Sequence, residues 1–309
     1  MIYVSTAIQR SSLDERYVNN VDDKWRNNMS ARIIDGKATA EKVNAMSAAR
    51  AARLKTKGIE PHLAVILVGE NPASQTYVRS KERACEGAGI RSTVVRLPET
   101  CTQAELEQQI DVLNADPGVH GILVQLPLPA HLSSDQVIER IDPAKDVDGF
   151  HPVNMGKLAI GMPELVPCTP LGITVLLEEY GIELPGKHVV IVGRSRIVGR
   201  PMALLMVNAH ATVTVCNTRT PNLSTITRQA DILIVATGHR NTITPEMVSA
   251  GTVVIDVGIN RFEGKLCGDV DSEVMNVASA MTPVPGGVGP MTVAMLLSNT
   301  LSVSERNAR

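Results

Sequence analysis

The chain is punctuated by short, continuous apolar runs with segments of helical period between them. His62 to Val68, Ser92 to Leu97, Gly121 to Gln125, His188 to Val192, Thr212 to Cys216, Asp231 to Ala236 and Val253 to Val257 read as strands. Runs that are apolar at nearly every position suit strands buried on both faces, the habit of parallel sheets. The spacing predicts a helix over Lys37 to Lys57, ended by Gly58, and another over Ser74 to Ala88, stopped by Gly89. Gly69-Glu70-Asn71-Pro72 reads as a turn, and Thr102-x-x-Glu105 as a capping box opening a further helix. Thr169-Pro170 reads as N-cap and first residue of a helix to Tyr180, with Gly181 beyond its end. A last helix is expected from Met291, after the Pro- and Gly-rich Pro283 to Pro290. Strands alternating with helices make this an α/β fold.

A length of 309 residues suggests two domains. We expect a first α/β domain over residues 29–166, joined by the C-terminal helix 291–309, and a Rossmann-like domain over residues 167–290. Residues 1–28 look foreign to the rest: they hold the single Trp, Trp25, and two of the four Tyr. Without an apolar region after a basic start they are no signal peptide, and they read as a disordered extension or a start-site artefact, with Met29 as an alternative start.

Gly186 to Pro201 carries the strongest local signal. A β-branched strand ends in Gly193, a tight turn follows, and Gly199 and Pro201 open a helix. Unpaired N–H groups at such a helix start, with the positive end of its dipole, can hold a pyrophosphate. The pattern Gly193-x-Ser195-x-x-x-Gly199 is an imperfect dinucleotide fingerprint, because Ser replaces the second Gly and the last Gly comes one residue late. After the next strand an NAD site usually places an acid for the ribose 2′-OH. Here the chain reads Asn217-Thr218-Arg219-Thr220, with Arg194 in the Gly turn; hydroxyls and guanidinium suit a 2′-phosphate.

Composition narrows the class. A formal charge of −2 gives no sign of nucleic acid or an anionic membrane surface, and no apolar run reaches membrane-spanning length. Five scattered cysteines, none in C-x-x-C, indicate a reducing compartment, hence the cytoplasm. The seven histidines show no metal-ligand spacing, so no metal is expected.

The first domain holds the chemical oddities. Tyr77, Val78, Lys81, Ala84, Cys85 and Ala88 share one face of their helix, which puts Lys81 in an apolar stripe. Lys81 is either a snorkelling side chain or a partly desolvated amine usable as an acid or base near neutral pH. Gln125 interrupts Ile122 to Leu126 at the strand's C-terminal end, where open α/β sheets bind ligands. In Lys145-Asp146-Val147-Asp148-Gly149 the two acids are turn residues, or one of them accepts hydrogen bonds from a ligand.

Together these stretches resemble the bifunctional methylenetetrahydrofolate dehydrogenase/methenyltetrahydrofolate cyclohydrolase family. They are Val68-Gly69-Glu70-Asn71-Pro72-Ala73-Ser74-x-x-Tyr77-Val78-x-x-Lys81, Gln125-Leu126-Pro127-Leu128-Pro129, Lys145 to Gly149, Pro167-Cys168-Thr169-Pro170, Gly193-Arg194-Ser195-x-Ile197-Val198-Gly199-x-Pro201 and Pro283-x-Pro285 to Pro290. The resemblance implies two α/β domains around a cleft, a homodimer, NADP as cofactor and a tetrahydrofolate derivative as substrate. It implies that Tyr77 stacks on the aminobenzoate ring, Lys81 is the acid/base, Gln125 tunes it and Asp148 holds the pterin. Ser74, Leu126, Pro127, Pro285, Gly286 and Gly287 would line the folate side; Gly193, Arg194, Ser195, Thr218, Gly238 and Ile259 would contact NADP. One departure is Asn217-Thr218 where the family pattern has His-Ser. The implied chemistry is oxidation of 5,10-methylenetetrahydrofolate and hydrolysis of the product to 10-formyltetrahydrofolate, a one-carbon interconversion serving purine biosynthesis. An oxidoreductase of the shikimate-dehydrogenase kind and a non-catalytic folate or NADP binder are the alternatives.

Overall fold

The expected strands and helices form in the computed structural model, which describes residues 31–307. The expectation for residues 1–28 lies outside the described residues. The chain runs β1 (Arg32–Ile33), α1 (Gly36–Thr56), β2 (His62–Val68), α2 (Pro72–Ala88), β3 (Arg91–Leu97), α3 (Gln103–Ala115), β4 (Gly121–Val124), α4 (Ser134–Arg140) and α5 (Pro152–Ala159). It continues through α6 (Cys168–Glu179), β5 (His188–Val192), α7 (Gly199–Asn208), β6 (Thr212–Cys216), α8 (Leu223–Thr227), β7 (Ile232–Val235) and β8 (Val253–Asp256). The hairpin β9 (Asn260–Phe262) and β10 (Lys265–Cys267), then β11 (Ala280–Met281) and α9 (Val288–Asn307), complete it. A three-stranded parallel sheet has the order β3-β2-β4. A six-stranded parallel sheet has the order β1-β11-β8-β7-β5-β6.

Residues 32–33, grouped with the first domain from the sequence, pair instead with β11, Arg32 opposite Ala280. A two-residue strand carries no readable period, so its partner is set by tertiary packing alone. Three helices also start earlier than expected. α2 begins at Pro72, capped by Asn71; α6 begins at Cys168, two residues before Pro170; α9 begins at Val288, two before Pro290. The cause is common to all three. The first N–H groups of a helix have no intrahelical acceptor, so a proline anywhere in the first turn costs no hydrogen bond. Thr169 is therefore inside α6, and its hydroxyl bonds that of Thr292 at 2.9 Å instead of capping.

Alternate residues of the buried strands face different interiors. Leu63, Val65 and Leu67 of β2 join Val189 and Ile191 of β5, with residues of α1, α2, α6 and α9, in one hydrophobic core. Ala64, Ile66 and Val68 face a second core with Leu106 and Ile110 of α3. Val190 and Val192 face a third with Leu233, Val235 and Val254. Each fully buried Leu or Ile contributes about 1.5–3 kcal/mol. The core shared by β2 and β5 fixes the two sheets to each other. Bare Gly172 lets α6 approach α9, since a Cβ there would lie 2.8 Å from that of Met291.

The N-terminus of α1 abuts the Pro-Gly-Gly segment. Lys37 N–H donates to the Gly286 carbonyl at 2.9 Å, and a Cβ on Gly36 would fall 1.8 Å from the Gly287 oxygen. Gly→Ala near a helix start ordinarily gains up to ~1 kcal/mol. Here the sign reverses: Gly36→Ala is expected to cost about 1–3 kcal/mol through the forced backbone shift. Urea unfolding of the variant checks this, and a midpoint at or above the parent's would refute it.

Candidate active site

The expected site residues of both domains sit on or just beyond the C-terminal ends of strands, or on the helices that follow. Helix α2 buries Ser74, Val78, Cys85 and Ala88. Lys81 shares their face but is only partly buried, and Tyr77 is 43% exposed. Lys81 reaches past the core to Gln125, which follows β4: Nζ donates to Oε1 at 3.0 Å. The Gln125 amide is oriented from its other end, Nε2 donating to the Leu126 carbonyl at 2.6 Å. Loop backbone thus satisfies the NH₂, and the oxygen accepts from the amine. The Ser74 hydroxyl, on the same helix, is buried with no hydrogen-bond partner among the described residues. A buried polar atom left unmatched is an uncommon cost, and it fits a group that a ligand completes.

The two acids of the Lys145 to Gly149 stretch divide their roles. Asp146 is the turn residue. Its carboxylate accepts from the N–H groups of Gly149 at 3.1 Å and His151 at 2.8 Å, and from Asn154 Nδ2 at 2.9 Å. Asp148 accepts no backbone N–H among the described residues. Desolvation pushes its carboxyl up to about 6, with Asp146 adding to the rise; the Lys81 charge and the Cys168 thiol oppose it. Cys168, part of the Pro167 to Pro170 stretch but given no site role from the sequence, and Asn299, not singled out there, hold the backbone beside it. Asn299 Nδ2 donates to the carbonyls of Val147 at 2.8 Å and Val166 at 3.0 Å, and Cys168 Sγ to Val147 at 3.3 Å. Asn299 stands in the polar run Ser298-Asn299-Thr300, so no local pattern marked it.

On the other side of the cleft, Gly193 lies at φ 123°, and a Cβ there would fall 2.2 Å from the Ala236 oxygen. The loop corrects one expectation. The N–H groups at the start of α7 are not all free: Ser195 Oγ accepts from Val198 at 3.1 Å and Gly199 at 3.3 Å, and the Ser195 carbonyl from Arg200 at 3.0 Å. Ser in place of the second Gly acts as an internal cap. The N–H groups of Arg194 and Ser195, ahead of the cap, have no acceptor among the described residues. An anion such as a phosphate could take them, with the exposed Arg194 side chain in the same turn.

After β6, Asn217 Oδ1 accepts from Arg219 N–H at 3.0 Å and Thr220 Oγ1 accepts from Asn217 N–H at 2.9 Å. This turn presents Thr218 and Arg219 to solvent with no acid among them, so the residues present fit a 2′-phosphorylated dinucleotide. Gly238 and Ile259 follow β7 and β8 on the same edge, and both are exposed. Pro285 to Gly287 follow β11 and meet α1, as above. Arg196 of the nucleotide loop forms an ion pair with Asp135 of α4, joining the loop to the first domain.

Residues 34–148 match the model of the tetrahydrofolate dehydrogenase/cyclohydrolase catalytic domain, and residues 167–308 that of the family's NAD(P)-binding domain. The chain belongs to the tetrahydrofolate dehydrogenase/cyclohydrolase family. The bifunctional protein FolD of Halalkalibacterium halodurans is 58% identical over 278 residues, 90% of this chain and 100% of that protein. The structure of FolD methylenetetrahydrofolate dehydrogenase/cyclohydrolase from Campylobacter jejuni superposes with a TM-score of 0.88 at 54% identity, covering 90% of this chain and 99% of that one. The Trypanosoma brucei enzyme, solved with NADP and an inhibitor, superposes with a TM-score of 0.86 at 40% identity, covering 91% and 99%. Membership in the dehydrogenase/cyclohydrolase family makes the cleft between the two sheets the place to look for both activities.

Asp148 carries a stability cost that follows from its position. Its folded pKa of about 6 lies above the ordinary 3.8, so the fold disfavours its charge. The cost is full above pH 6, where the group is ionised folded and unfolded, and absent below about 3.8, where it is protonated in both. Asp148→Asn is therefore expected to stabilise the protein at pH 8 by about 1–2 kcal/mol. The gain shrinks as pH falls through 6. Thermal melts across this range test it; equal melting of variant and parent at pH 8 would contradict it.

Proposed function

We propose that the two half-sites work as one active site. Folate lies on Tyr77 beside Lys81, and the nucleotide lies over the Gly193 loop. The chain is a methylenetetrahydrofolate dehydrogenase and methenyltetrahydrofolate cyclohydrolase. It oxidises 5,10-methylenetetrahydrofolate with NADP+ and hydrolyses the product to 10-formyltetrahydrofolate. The observation that carries the site assignment is the hydrogen bond of Lys81 Nζ to Gln125 Oε1, 3.0 Å long, close enough to Asp148 for the ammonium to lower that carboxyl's pKa.

In this reading the Asp148 carboxylate accepts the pterin N–H groups, which replace the backbone donors it lacks. Ser74, Leu126 and Pro127 line the folate on one side and Pro285, Gly286 and Gly287 on the other. Arg194, Ser195, Thr218, Gly238 and Ile259 hold the nucleotide around Gly193. NADP+, when bound, supplies the acceptor for the hydride of the one-carbon bridge. The chain's part in that step is alignment, for which two sheets fixed by one core are suited. In the hydrolytic step water adds to the methenyl carbon and its oxygen gives up both protons, one taken up by the leaving ring nitrogen as the C–N bond opens and the other released. Lys81 relays those protons, and Gln125 holds its amine in place.

The five cysteines are all unpaired, four of them buried, which supports a cytoplasmic enzyme. The homodimer is supported by β6, an open edge of the six-stranded sheet with Val215 40% exposed. Light scattering of the purified chain is expected to give twice 33.1 kDa, and a monomer mass would refute the dimer.

Lys81→Met keeps the apolar stem and removes the amine. General acid–base help is worth about 10²–10⁴-fold, so cyclohydrolase activity is expected to fall by that order while dehydrogenase activity stays measurable and methenyl product accumulates. A two-wavelength assay for methenyl product and NADPH reads both. Hydrolysis near the parent rate in a folded variant would show that Lys81 only snorkels.

A further inference from the structure

Two carboxylates outside the folate site are buried at the edge where the nucleotide binds. Asp269 is 0% exposed and Asp256 2%. Neither is paired with Lys or Arg among the described residues. Asp269 Oδ2 accepts from Thr237 N–H at 2.6 Å, Gly238 N–H at 2.8 Å and Thr237 Oγ1 at 3.0 Å; its Oδ1 accepts from Asn260 Nδ2 at 2.8 Å. Asp256 Oδ1 accepts from the N–H groups of Gly258 and Asp269, both at 2.9 Å, and its Oδ2 from Val270 N–H at 3.0 Å. The fit leaves no room for a side chain. A Cβ on Gly258 would lie 2.2 Å from Asp269 Oδ1, and one on Gly268 1.8 Å from Asp256 Oδ2.

The tethered residues bracket the two positions read as nucleotide contacts beyond β7 and β8. Gly238 is held directly. Ile259 stands between Gly258 and Asn260, both tethered, and its own side chain is 51% exposed. Backbone held this firmly around an exposed apolar side chain suits a surface that a flat ring covers. Burying two unpaired carboxylates is costly, and burial pushes Asp256 up to about 6 despite its N–H donors. Apolar packing would close these loops at lower cost; the carboxylates instead set where the N–H groups and Ile259 point.

We propose that Asp269, seated by Asp256, is a positioning residue for the dehydrogenase reaction, holding the Gly238 and Ile259 loops in the geometry that binds the nucleotide. The proposal rests on the assignment of Gly238 and Ile259 to that site. Because the hydrolytic step uses Lys81 on the opposite side of the cleft and needs no nucleotide, the two activities separate the effect.

Asp269→Asn keeps the volume but turns an NH₂ toward donors that need an acceptor. Losing charge-assisted acceptors under the Gly238 loop is expected to raise the KM for NADP+ about tenfold or more. The KM for folate and the hydrolysis of methenyltetrahydrofolate without nucleotide are expected to stay within about twofold of the parent. An unchanged NADP+ KM in a folded variant, or a parallel fall in cyclohydrolase, would overturn the proposal. If Asp269→Asn does not fold, Asn260→Ala decides it: removing one donor to Asp269 should give the same split at a few-fold level, and no split overturns it. Ile259→Ala checks the underlying assignment separately. A raised NADP+ KM there with none in Asp269→Asn keeps the contact and rejects the positioning role.

Discussion

The constraint on which the rest depends is the hydrophobic core that the two sheets share. One face of β2 and one face of β5 bury their odd-numbered residues in the same interior, closed by α1, α6 and α9. Two α/β units with separate cores would move relative to each other as domains usually do. Here displacing either sheet would open apolar surface, so the folate-side residues on α2 and just beyond β4 keep their place relative to the Gly193 loop. The last helix returns across both units, and its Asn299 ties together the backbone at Val147, next to Asp148, and at Val166.

Within that frame the chemistry is sorted by which buried carboxylates the backbone satisfies. Asp146, Asp256 and Asp269 each accept several N–H groups, and each acts by fixing a loop. Asp148, two residues from Asp146, is left without such donors, and desolvation disfavours its charge. A carboxylate kept short of partners is poised to take them from a ligand, at a cost to the stability of the free protein. The same economy appears in the nucleotide loop. Ser195 consumes two N–H groups of the helix start to hold the turn, and those of Arg194 and Ser195 ahead of it are left without an acceptor among the described residues.

Seven of the strands were legible in the sequence, because continuous apolar runs between helical segments suit a parallel sheet covered on both faces, whereas β1, β9, β10 and β11, two or three residues long, carry no readable period. The candidate residues on α2 and in the Gly193 turn were legible as well, since Lys81 on an apolar face, Gln125 in an apolar strand end and a Gly turn after a strand are local patterns. Tertiary structure decided what depends on partners distant in the chain. It placed β1 in the second sheet, made Asp146 rather than Asp148 the turn residue, and brought Asp269 under Thr237 and Gly238. No local pattern distinguishes two acids in one loop, or an acid thirty-odd residues from the N–H groups it will accept. Burial and hydrogen-bond satisfaction are properties of the folded surroundings, and only there do these residues acquire different roles.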